Sequence, residues 1–333
     1  MDLFTSEQDA YRYQSGVQGR GLTLGRRFLY AIRLILNLWV PFAEWSAVMG
    51  RKGIKRNRSV QVMNDLCNAT NGVGLDVGGK FIKVLRKSET KRFDEEKLPD
   101  LLEKSSMSEE EIAQIVQTLR TDGFAVIRKF TSLETATRLR EEVESAHAVD
   151  WRGQDYRDFH EWAQKGETSR IDVDEVAVNR AVEASNINLS DIDVIARRYL
   201  ESAPIRLPAQ CWITHTRSEL TTSDLEETAM SFHCDSDFVS FFKIFLLLTP
   251  VSSENGPFAF VAKSHLGRRQ VQGRVSDRNL QIGDDELRLG TGSPGDLVLA
   301  VTSGWHKGTP VRSGHRTMIQ WLYSTSLFGR ATK

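Results

Sequence analysis

The sequence has few cysteines and no excess of charge of either sign. Its three cysteines, Cys67, Cys211 and Cys234, show no CxxC or other zinc-ligand spacing. A disulfide framework and a structural zinc site are therefore not predicted, and a reducing, cytoplasmic location is expected. Lysine plus arginine and aspartate plus glutamate both number 44, which argues against a general nucleic-acid-binding protein.

A long uninterrupted apolar run is also missing. The most apolar stretch, residues 28–49, contains Arg33, Pro41 and Glu44, and such interruptions argue against a membrane-spanning helix. The polar start of the chain does not have the basic residues and apolar block of a secretion signal. Because polar and apolar positions alternate with helical spacing, residues 16–60 are expected to contain a helix that packs on the rest of the chain or on a partner. A peripheral membrane contact is the alternative.

Residues 1–105 differ in composition from the rest and are predicted to form a partly helical N-terminal extension. Four glycines within residues 71–85 precede a lysine-containing apolar segment, which predicts a turn or hairpin. Residues 86–105 are charged, and this composition predicts a linker or a solvated loop. The role of the extension is left open.

Residues 106–330 are predicted to form one domain. Ser108 and Glu111 have the spacing of a capping box at the start of an amphipathic helix, and Asp122-Gly123 ends that helix. A strand and then a second helix, opening at Thr131, are expected to follow. We expect insertions in this domain near residues 150–190 and 266–294.

Three residues of this domain have the chemistry and the placement of metal ligands. His233 and Asp235 are two positions apart in a strand-like segment, so their side chains project to one face. His306 follows an apolar strand and a turn and can reach the same point. Two histidines and one carboxylate are the ligand set typical of non-haem Fe(II) with open coordination positions. Cys234, between the first two ligands, faces the other way and is predicted to be a packed thiol.

An arginine favours His306 over His315 as the third ligand. Arg316 lies ten residues after His306, and its planar guanidinium can hold a carboxylate through two parallel hydrogen bonds. Thr325, ten residues after His315, carries no charge. Arg316 opens an apolar strand, where a buried arginine needs an anion. A surface salt bridge is the alternative for this residue.

Lys243 interrupts the apolar run of residues 241–248. A buried ammonium is costly without a partner. If its face of the strand lines the interior, Lys243 is expected to meet the carboxylate of a cosubstrate beside Phe245. The alternative is a lysine that extends to solvent from the outer face.

From residue 205 onward the chain is rich in β-forming segments separated by Gly, Pro and Asn. The candidate strands are residues 205–216, 239–249, 258–262, 296–301 and 317–324. Late strands that carry inward-facing ligands predict a mainly β fold with flanking helices. We expect a double-stranded β-helix, which is a jelly-roll or cupin-like barrel, buttressed by α-helices.

Six short segments, followed by Arg316, match the motifs of one enzyme family. They are Asp122-Gly123-Phe124-Ala125-Val126-Ile127, Phe232-His233-Cys234-Asp235, Asn255-Gly256-Pro257-Phe258, Lys263-Ser264-His265, Gly295-Asp296-Leu297-Val298 and Trp305-His306-Lys307-Gly308. Over roughly residues 108–326 the sequence resembles the phytanoyl-CoA dioxygenase family of Fe(II)/2-oxoglutarate-dependent oxygenases.

The resemblance implies a cofactor set and a reaction. His233, Asp235 and His306 would bind Fe(II), 2-oxoglutarate would chelate the metal with its far carboxylate on Arg316, and O2 would take the remaining position. A small organic molecule would be oxidised, and hydroxylation is the expected outcome. Related halogenases replace the carboxylate ligand by a small residue, whereas Asp235 is intact.

Two positions depart from the family pattern. Cys234 stands where a polar or charged residue is common, and Lys263 stands where the family has glycine. Neither belongs to the ligand set. The alternative function is a non-catalytic jelly-roll protein that binds a small molecule, since fold alone does not fix function. Such a protein would have no reason to keep all three ligands together with Arg316.

The predicted insertions are expected to cover the substrate. The insertion at residues 266–294 contains five arginines among acidic residues. It is either a solvated loop or a lid whose arginines meet an anionic or carrier-linked substrate. The expected partner is therefore a small molecule and not a nucleic acid, and the oligomeric state is left open. His265 is predicted to stabilise a turn, and His215 with Thr216 to line the pocket.

Overall fold

The computed structural model describes residues 73–217, 220, 228–235, 237–266, 282–283 and 285–326, together with residues 28, 31–32, 66 and 69–70. The predicted helix and membrane contact within residues 16–60 therefore lie almost entirely outside the described residues. The same is true of four of the five arginines in the second insertion, Arg268, Arg269, Arg274 and Arg278.

In the described part of the chain, helices precede and flank a set of antiparallel strands. The helices are α1 (Val73–Leu85), α2 (Lys87–Glu96), α3 (Leu98–Glu103), α4 (Glu109–Thr121), α5 (Leu133–Glu144), α6 (Phe159–Lys165), α7 (Glu175–Ser185) and α8 (Ser190–Leu200). The strands are β1 (Phe124–Ile127), β2 (Ala148–Asp150), β3 (Asp155–Tyr156), β4 (Arg170–Val173), β5 (Ile205–Arg206), β6 (Gln210–His215), β7 (Phe241–Leu247), β8 (Phe258–Val261), β9 (Leu287–Gly290), β10 (Leu297–Ala300), β11 (His306–Gly308) and β12 (His315–Ser324).

Two antiparallel sheets form the frame of the domain. The larger has the order β1-β10-β7-β12-β6-β4-β2-β3, with β5 paired to β12, and the smaller has the order β11-β8-β9. Side chains of both sheets share one apolar cluster, in which Phe245 and Met318 of the larger sheet meet Phe258 and Phe260 of the smaller. The predicted fold class, a mainly β double-stranded helix with flanking helices, is confirmed.

Helices α4 to α8 pack on the outer face of the larger sheet, in one apolar cluster with its side chains. In α4 the residues Ile112, Val116 and Leu119 are buried at positions i, i+4 and i+7, which gives this helix one apolar face. Its start is the predicted capping box, since Ser108 accepts a hydrogen bond from the Glu111 N–H and Glu111 accepts one from the Ser108 N–H. Because the helices cover this outer face, a ligand site on the larger sheet can only lie on its other face, between the two sheets.

The hairpin predicted at residues 71–85 and the linker predicted at residues 86–105 are wrong, because helices α1, α2 and α3 occupy these segments. Contacts with the domain stabilise them. Arg86 donates hydrogen bonds to the carbonyl oxygens of Ala203 and Thr325. In α2, Asp94 accepts two hydrogen bonds from Arg197, at 2.6 and 2.7 Å. Tertiary partners of this kind override the local preference of glycine for turns.

Two short strands, β3 and β4, lie within the insertion predicted near residues 150–190 and extend the larger sheet. These strands are too short to show a two-residue alternation in sequence. Helix α5 is capped by Ser132, which accepts a hydrogen bond from the Thr135 N–H, and not by Thr131. Among the described residues no helix is both long and apolar enough to cross a membrane.

Candidate metal centre and pocket

Backbone pairing brings the two histidines of the predicted ligand set together. The N–H of His233 donates to the carbonyl oxygen of His306, and the N–H of His306 donates to that of His233, both at 3.0 Å. The Asp235 N–H donates to the carbonyl oxygen of Thr302 at 2.8 Å. Residues far apart in sequence are therefore fixed as neighbours by main-chain hydrogen bonds, without help from their side chains.

The three side chains converge on one point between the sheets. His306 Nε2 lies 3.3 Å from Asp235 Oδ2, and His233 Nε2 lies 3.7 Å from Asp235 Oδ1. The candidate ligand atoms of these three residues all lie within 4.8 Å of one another. His315 is elsewhere, with its Nε2 atom 2.9 Å from Glu144 Oε1. The structure therefore groups His306, and not His315, with His233 and Asp235.

Both histidines of the cluster are oriented by hydrogen bonds to backbone carbonyls. His233 Nδ1 lies 2.8 Å from the Ser231 carbonyl oxygen, and His306 Nδ1 lies 2.9 Å from that of Gly304. A carbonyl oxygen only accepts, so each Nδ1 carries the hydrogen and donates it. Each Nε2 then presents a lone pair to the shared point, as a metal ligand requires.

The carboxylate of Asp235 is ionised and held by a lysine. Lys243 Nζ lies 2.6 Å from Asp235 Oδ2 and 2.8 Å from Asp237 Oδ2. Burial alone would raise the pKa of Asp235, but the charge of Lys243 above all holds that pKa well below its usual range. Burial alone would likewise lower the pKa of Lys243, and the two carboxylates raise it.

Lys243 faces the interior, as one of the two sequence interpretations expected. Its partners are the carboxylates of Asp235 and Asp237, and the predicted contact with a cosubstrate stays a prediction. Asp237 was missed in the sequence. The signal for it was present, because Asp237 lies two positions after Asp235 and the buried lysine required negative partners.

Arg316 is buried in the same pocket, and its guanidinium has few hydrogen-bond partners among the described residues. Its side chain is 3 % exposed, and its Nη2 atom lies 3.4 Å from the Thr214 hydroxyl oxygen. The Nε and Nη1 atoms have no hydrogen-bond partner among the described residues. Burial first, and then the nearby charge of Arg170, lower the pKa of Arg316 to about 9. A buried cation in such surroundings can accept an anionic ligand as its counter-ion.

Strand register explains how the far end of the pocket is built. Arg170 on β4 and Arg316 on β12 both pair with Thr214 of β6, which lies between them. Arg170 also stacks over Trp212, with 4.5 Å between its Cζ atom and the ring centroid, and its Nη2 atom lies 2.5 Å from Asp172 Oδ1. Asp172 thus neutralises Arg170 and leaves Arg316 as the cation that needs an anion.

The pocket between the sheets has a volume of about 290 Å3 and joins the metal-ligand cluster to Arg316. Its wall contains Gln210, Gln320, Phe245, Phe258 and Met318. His215 and Thr216, which were expected in this wall, are not among its lining residues.

Two other predicted side chains lie in apolar surroundings near the cluster. Cys234 packs beside Phe232 and Trp305 and is outside the ligand group. His265 Nε2 bonds to the Arg120 carbonyl oxygen at 3.2 Å. The ring also lies against Gly123, where an added Cβ would come within 2.4 Å of His265 Nδ1. His265 therefore secures the turn between α4 and β1.

The donors of this site suit a divalent non-haem iron. The cluster offers two imidazole nitrogens and one carboxylate on one side of a point, with the pocket on the other. This is the facial arrangement that leaves coordination positions open. At the other end of the pocket, the Nε and Nη1 atoms of Arg316 have no partner in the part of the chain that the structure describes, and they fit a cosubstrate that carries a carboxylate.

Comparison with known proteins agrees with this geometry. The sequence model of the family described as phytanoyl-CoA dioxygenase (PhyH) matches residues 119–318. The solved structure of EvdO2 from Micromonospora carbonacea var. aurantiaca is similar, with a TM-score of 0.50 and 14% sequence identity over 67% of this chain and 92% of that one. HygX from Streptomyces hygroscopicus, solved with nickel and 2-oxoglutarate bound, gives a TM-score of 0.44 and 17% identity over 66% and 87% of the two chains.

Among curated proteins, no sequence matches this chain. At its level of identity the EvdO2 structure supports the fold alone, whereas the family match spans most of the predicted domain. It runs from the end of α4 into β12 and includes both histidines of the cluster, Asp235 and Arg316. The chain belongs to the phytanoyl-CoA dioxygenase (PhyH) family of iron- and 2-oxoglutarate-dependent oxygenases.

Proposed function

We propose that this chain hydroxylates a small organic molecule with Fe(II), 2-oxoglutarate and O2, and that His233, Asp235 and His306 are the metal ligands. The observation that carries the proposal is Arg316. Its buried guanidinium has two nitrogens that find no hydrogen-bond partner among the described residues, and it shares one pocket with the ligand cluster. A protein that only bound a neutral molecule in this fold would bury a charge at that position for no gain.

Each residue has a distinct part in this reaction. The two imidazoles bind the metal through Nε2, because their Nδ1–H groups are held by carbonyl oxygens. Arg316 binds the far carboxylate of 2-oxoglutarate with a pair of hydrogen bonds, and the Thr214 hydroxyl supports the guanidinium. When bound, the iron supplies activation of O2, coupled to decarboxylation of 2-oxoglutarate to succinate and CO2.

The charges of the loaded site cancel. Fe(II), Lys243 and Arg316 together carry four positive charges, and Asp235, Asp237 and the 2-oxoglutarate dianion carry four negative charges. Net neutrality matters because the site is buried and an unbalanced charge there is costly. The balance fits a dianionic cosubstrate better than a neutral ligand.

The apolar part of the wall supports oxidation of a carbon centre. Phe245, Phe258 and Met318 limit water around the ligand cluster. A pocket of about 290 Å3 lies at the lower end of the range for small-molecule sites. An anionic or carrier-linked substrate, covered by residues 266–294, stays a prediction. The described arginine of that segment, Arg288, lies 3.5 Å from Asp122 and not in the pocket wall.

The test is 2-oxoglutarate turnover, measured as succinate formed under air with Fe(II) and ascorbate. The readout follows the cosubstrate and not the product of the prime substrate, so it can be applied before that substrate is identified. We expect turnover in the wild-type chain and none in His233→Ala, Asp235→Ala or His306→Ala. The matched control is His147→Ala, because His147 is half-exposed and pairs with Asp155. Undiminished turnover in a ligand variant would refute the assignment.

A further inference from the structure

Lys243 is the only lysine or arginine of β7, and the strand is buried along its whole length. Its ammonium contacts two carboxylates, at 2.6 Å from Asp235 Oδ2 and 2.8 Å from Asp237 Oδ2. Lys243 lies opposite Leu322 of β12, six positions from Arg316, and that separation corresponds to about 20 Å along a strand. The two cations therefore serve opposite ends of the pocket and do not share a ligand group.

The contact with Asp235 bears on how that carboxylate can bind a metal. Oδ2 accepts a hydrogen bond from Lys243 and lies 3.3 Å from His306 Nε2, while Oδ1 lies 3.7 Å from His233 Nε2. A carboxylate with both oxygens available can chelate a cation through both. One oxygen engaged by an ammonium is a poorer donor to a second cation, because the two positive charges repel each other.

We propose that Lys243 is a positioning residue that keeps Asp235 a one-oxygen ligand, and that Asp237 holds Lys243 in place for this task. The inference rests on the proposed function. Three protein donors leave three positions on a six-coordinate metal, of which 2-oxoglutarate needs two and O2 needs one. A two-oxygen Asp235 would fill one of these positions, and the cosubstrate would then have to displace it.

The role of Asp237 follows from charge. With both carboxylates present, the ammonium divides its attraction between Asp235, at 2.6 Å, and Asp237, at 2.8 Å. Without the charge of Asp237, Lys243 would pair with Asp235 alone and compete more strongly with the metal for it. Removal of the charge of Lys243 and removal of the charge of Asp237 are therefore expected to change the metal affinity in opposite directions.

The test uses Co(II) as a redox-stable probe and measures two affinities by calorimetry, that of Co(II) and then that of 2-oxoglutarate for the Co(II) form. In Lys243→Met, which keeps an unbranched side chain one atom shorter and removes the charge, we expect tighter Co(II) binding and at least about tenfold weaker 2-oxoglutarate binding. In Asp237→Asn we expect weaker Co(II) binding. The matched control is Lys83→Met, a helix lysine paired with Glu201 far from the pocket, and it should change neither affinity.

In Lys243→Met we expect the Co(II) affinity to rise and the 2-oxoglutarate affinity to fall. A purely structural role of Lys243 would weaken both affinities. That parallel loss would overturn the proposal, and so would an unchanged 2-oxoglutarate affinity. Weaker 2-oxoglutarate binding with unchanged Co(II) affinity and an unchanged Co(II) absorption spectrum would also overturn it, because Lys243 would then contact the cosubstrate directly. If Lys243→Met does not fold, Asp237→Asn decides alone, and unaltered or tighter Co(II) binding refutes the proposal. A wild-type chain that bound neither Co(II) nor 2-oxoglutarate would instead refute the proposed function.

Discussion

Replacing Arg316 by methionine should stabilise the ligand-free protein and at the same time abolish its response to 2-oxoglutarate. The guanidinium is buried, two of its nitrogens have no hydrogen-bond partner in the described part of the chain, and burial lowers its pKa from the usual arginine range to about 9. At about 1.36 kcal/mol per pKa unit, this fall corresponds to about 5 kcal/mol against the charged form in the empty pocket. Relaxation and water entry reduce such a penalty, and exchange of buried charges for apolar groups gains about 1–4 kcal/mol.

Arg316→Met should stabilise the ligand-free protein but weaken its binding of 2-oxoglutarate. Truncation of one partner of a buried, hydrogen-bonded charge pair costs about 2–5 kcal/mol, so the affinity for 2-oxoglutarate should fall by at least about thirtyfold. The folded state disfavours the charge of Arg316, and this penalty is fully present below about pH 9 and is relieved only as pH rises above 9, beyond the usual assay range. Measurements at pH 7 should therefore show the whole destabilisation that the buried charge of Arg316 causes.

The assay is thermal unfolding of the protein with Ni(II), with and without 2-oxoglutarate. We expect Arg316→Met to unfold a few degrees higher than wild type without cosubstrate, since 1 kcal/mol corresponds to about 2–4 °C in a domain of this size. The cosubstrate should raise the wild-type midpoint and leave the variant unchanged. The control is Arg206→Met, which removes an arginine paired with Asp193 and should keep the cosubstrate response. A destabilised Arg316→Met that still responds to 2-oxoglutarate would contradict this reasoning.

Two further predictions concern positions around the site. Lys263 has a φ of 65°, which is unfavourable for a residue with a side chain, so Lys263→Gly should raise the free energy of unfolding in urea by up to about 1 kcal/mol. Lys104→Gly, at a right-handed position with φ of −85°, should not stabilise, and equal effects at both sites would argue against backbone strain. Burial lowers the pKa of His265. The unfolded chain therefore binds more protons as pH falls below about 6.5, and stability should decline there. In His265→Gln the free energy of unfolding in urea should depend less on pH in this range. An unaltered pH dependence would show that His265 does not cause the decline.

The ligand set could be predicted from sequence because its rules are local. Two-residue alternation places His233 and Asp235 on one face, and the ten-residue spacing from His306 to Arg316 distinguished His306 from His315. The structure groups these side chains as expected. Their assignment as metal and cosubstrate ligands stays a prediction until binding is measured.

The parts that were missed depend on contacts between distant segments. Helices α1 to α3 form where glycines and charges predicted a hairpin and a linker, because Arg86 and Asp94 find partners on the domain. The interior position of Lys243 could be stated only as one of two interpretations, since alternation does not say which face of β7 is inside. Asp237 could have been found by asking which anion a buried lysine requires.

The predicted boundary near residue 105 and the cytoplasmic location also stay predictions. The same holds for a membrane contact through residues 16–60. Fold class and family were predictable, since both depend on short segments whose order along the chain is visible in sequence.

The most direct test of the central claim is anaerobic absorbance of the purified metal-free protein titrated with Fe(II) and then with 2-oxoglutarate. Chelation of the iron by the keto acid should give a weak visible charge-transfer band in the wild-type chain. At low 2-oxoglutarate the band should be absent from Arg316→Met, because that variant lacks the cation for the far carboxylate. Iron that binds at the His233, Asp235 and His306 cluster without any band at saturating 2-oxoglutarate would contradict the account.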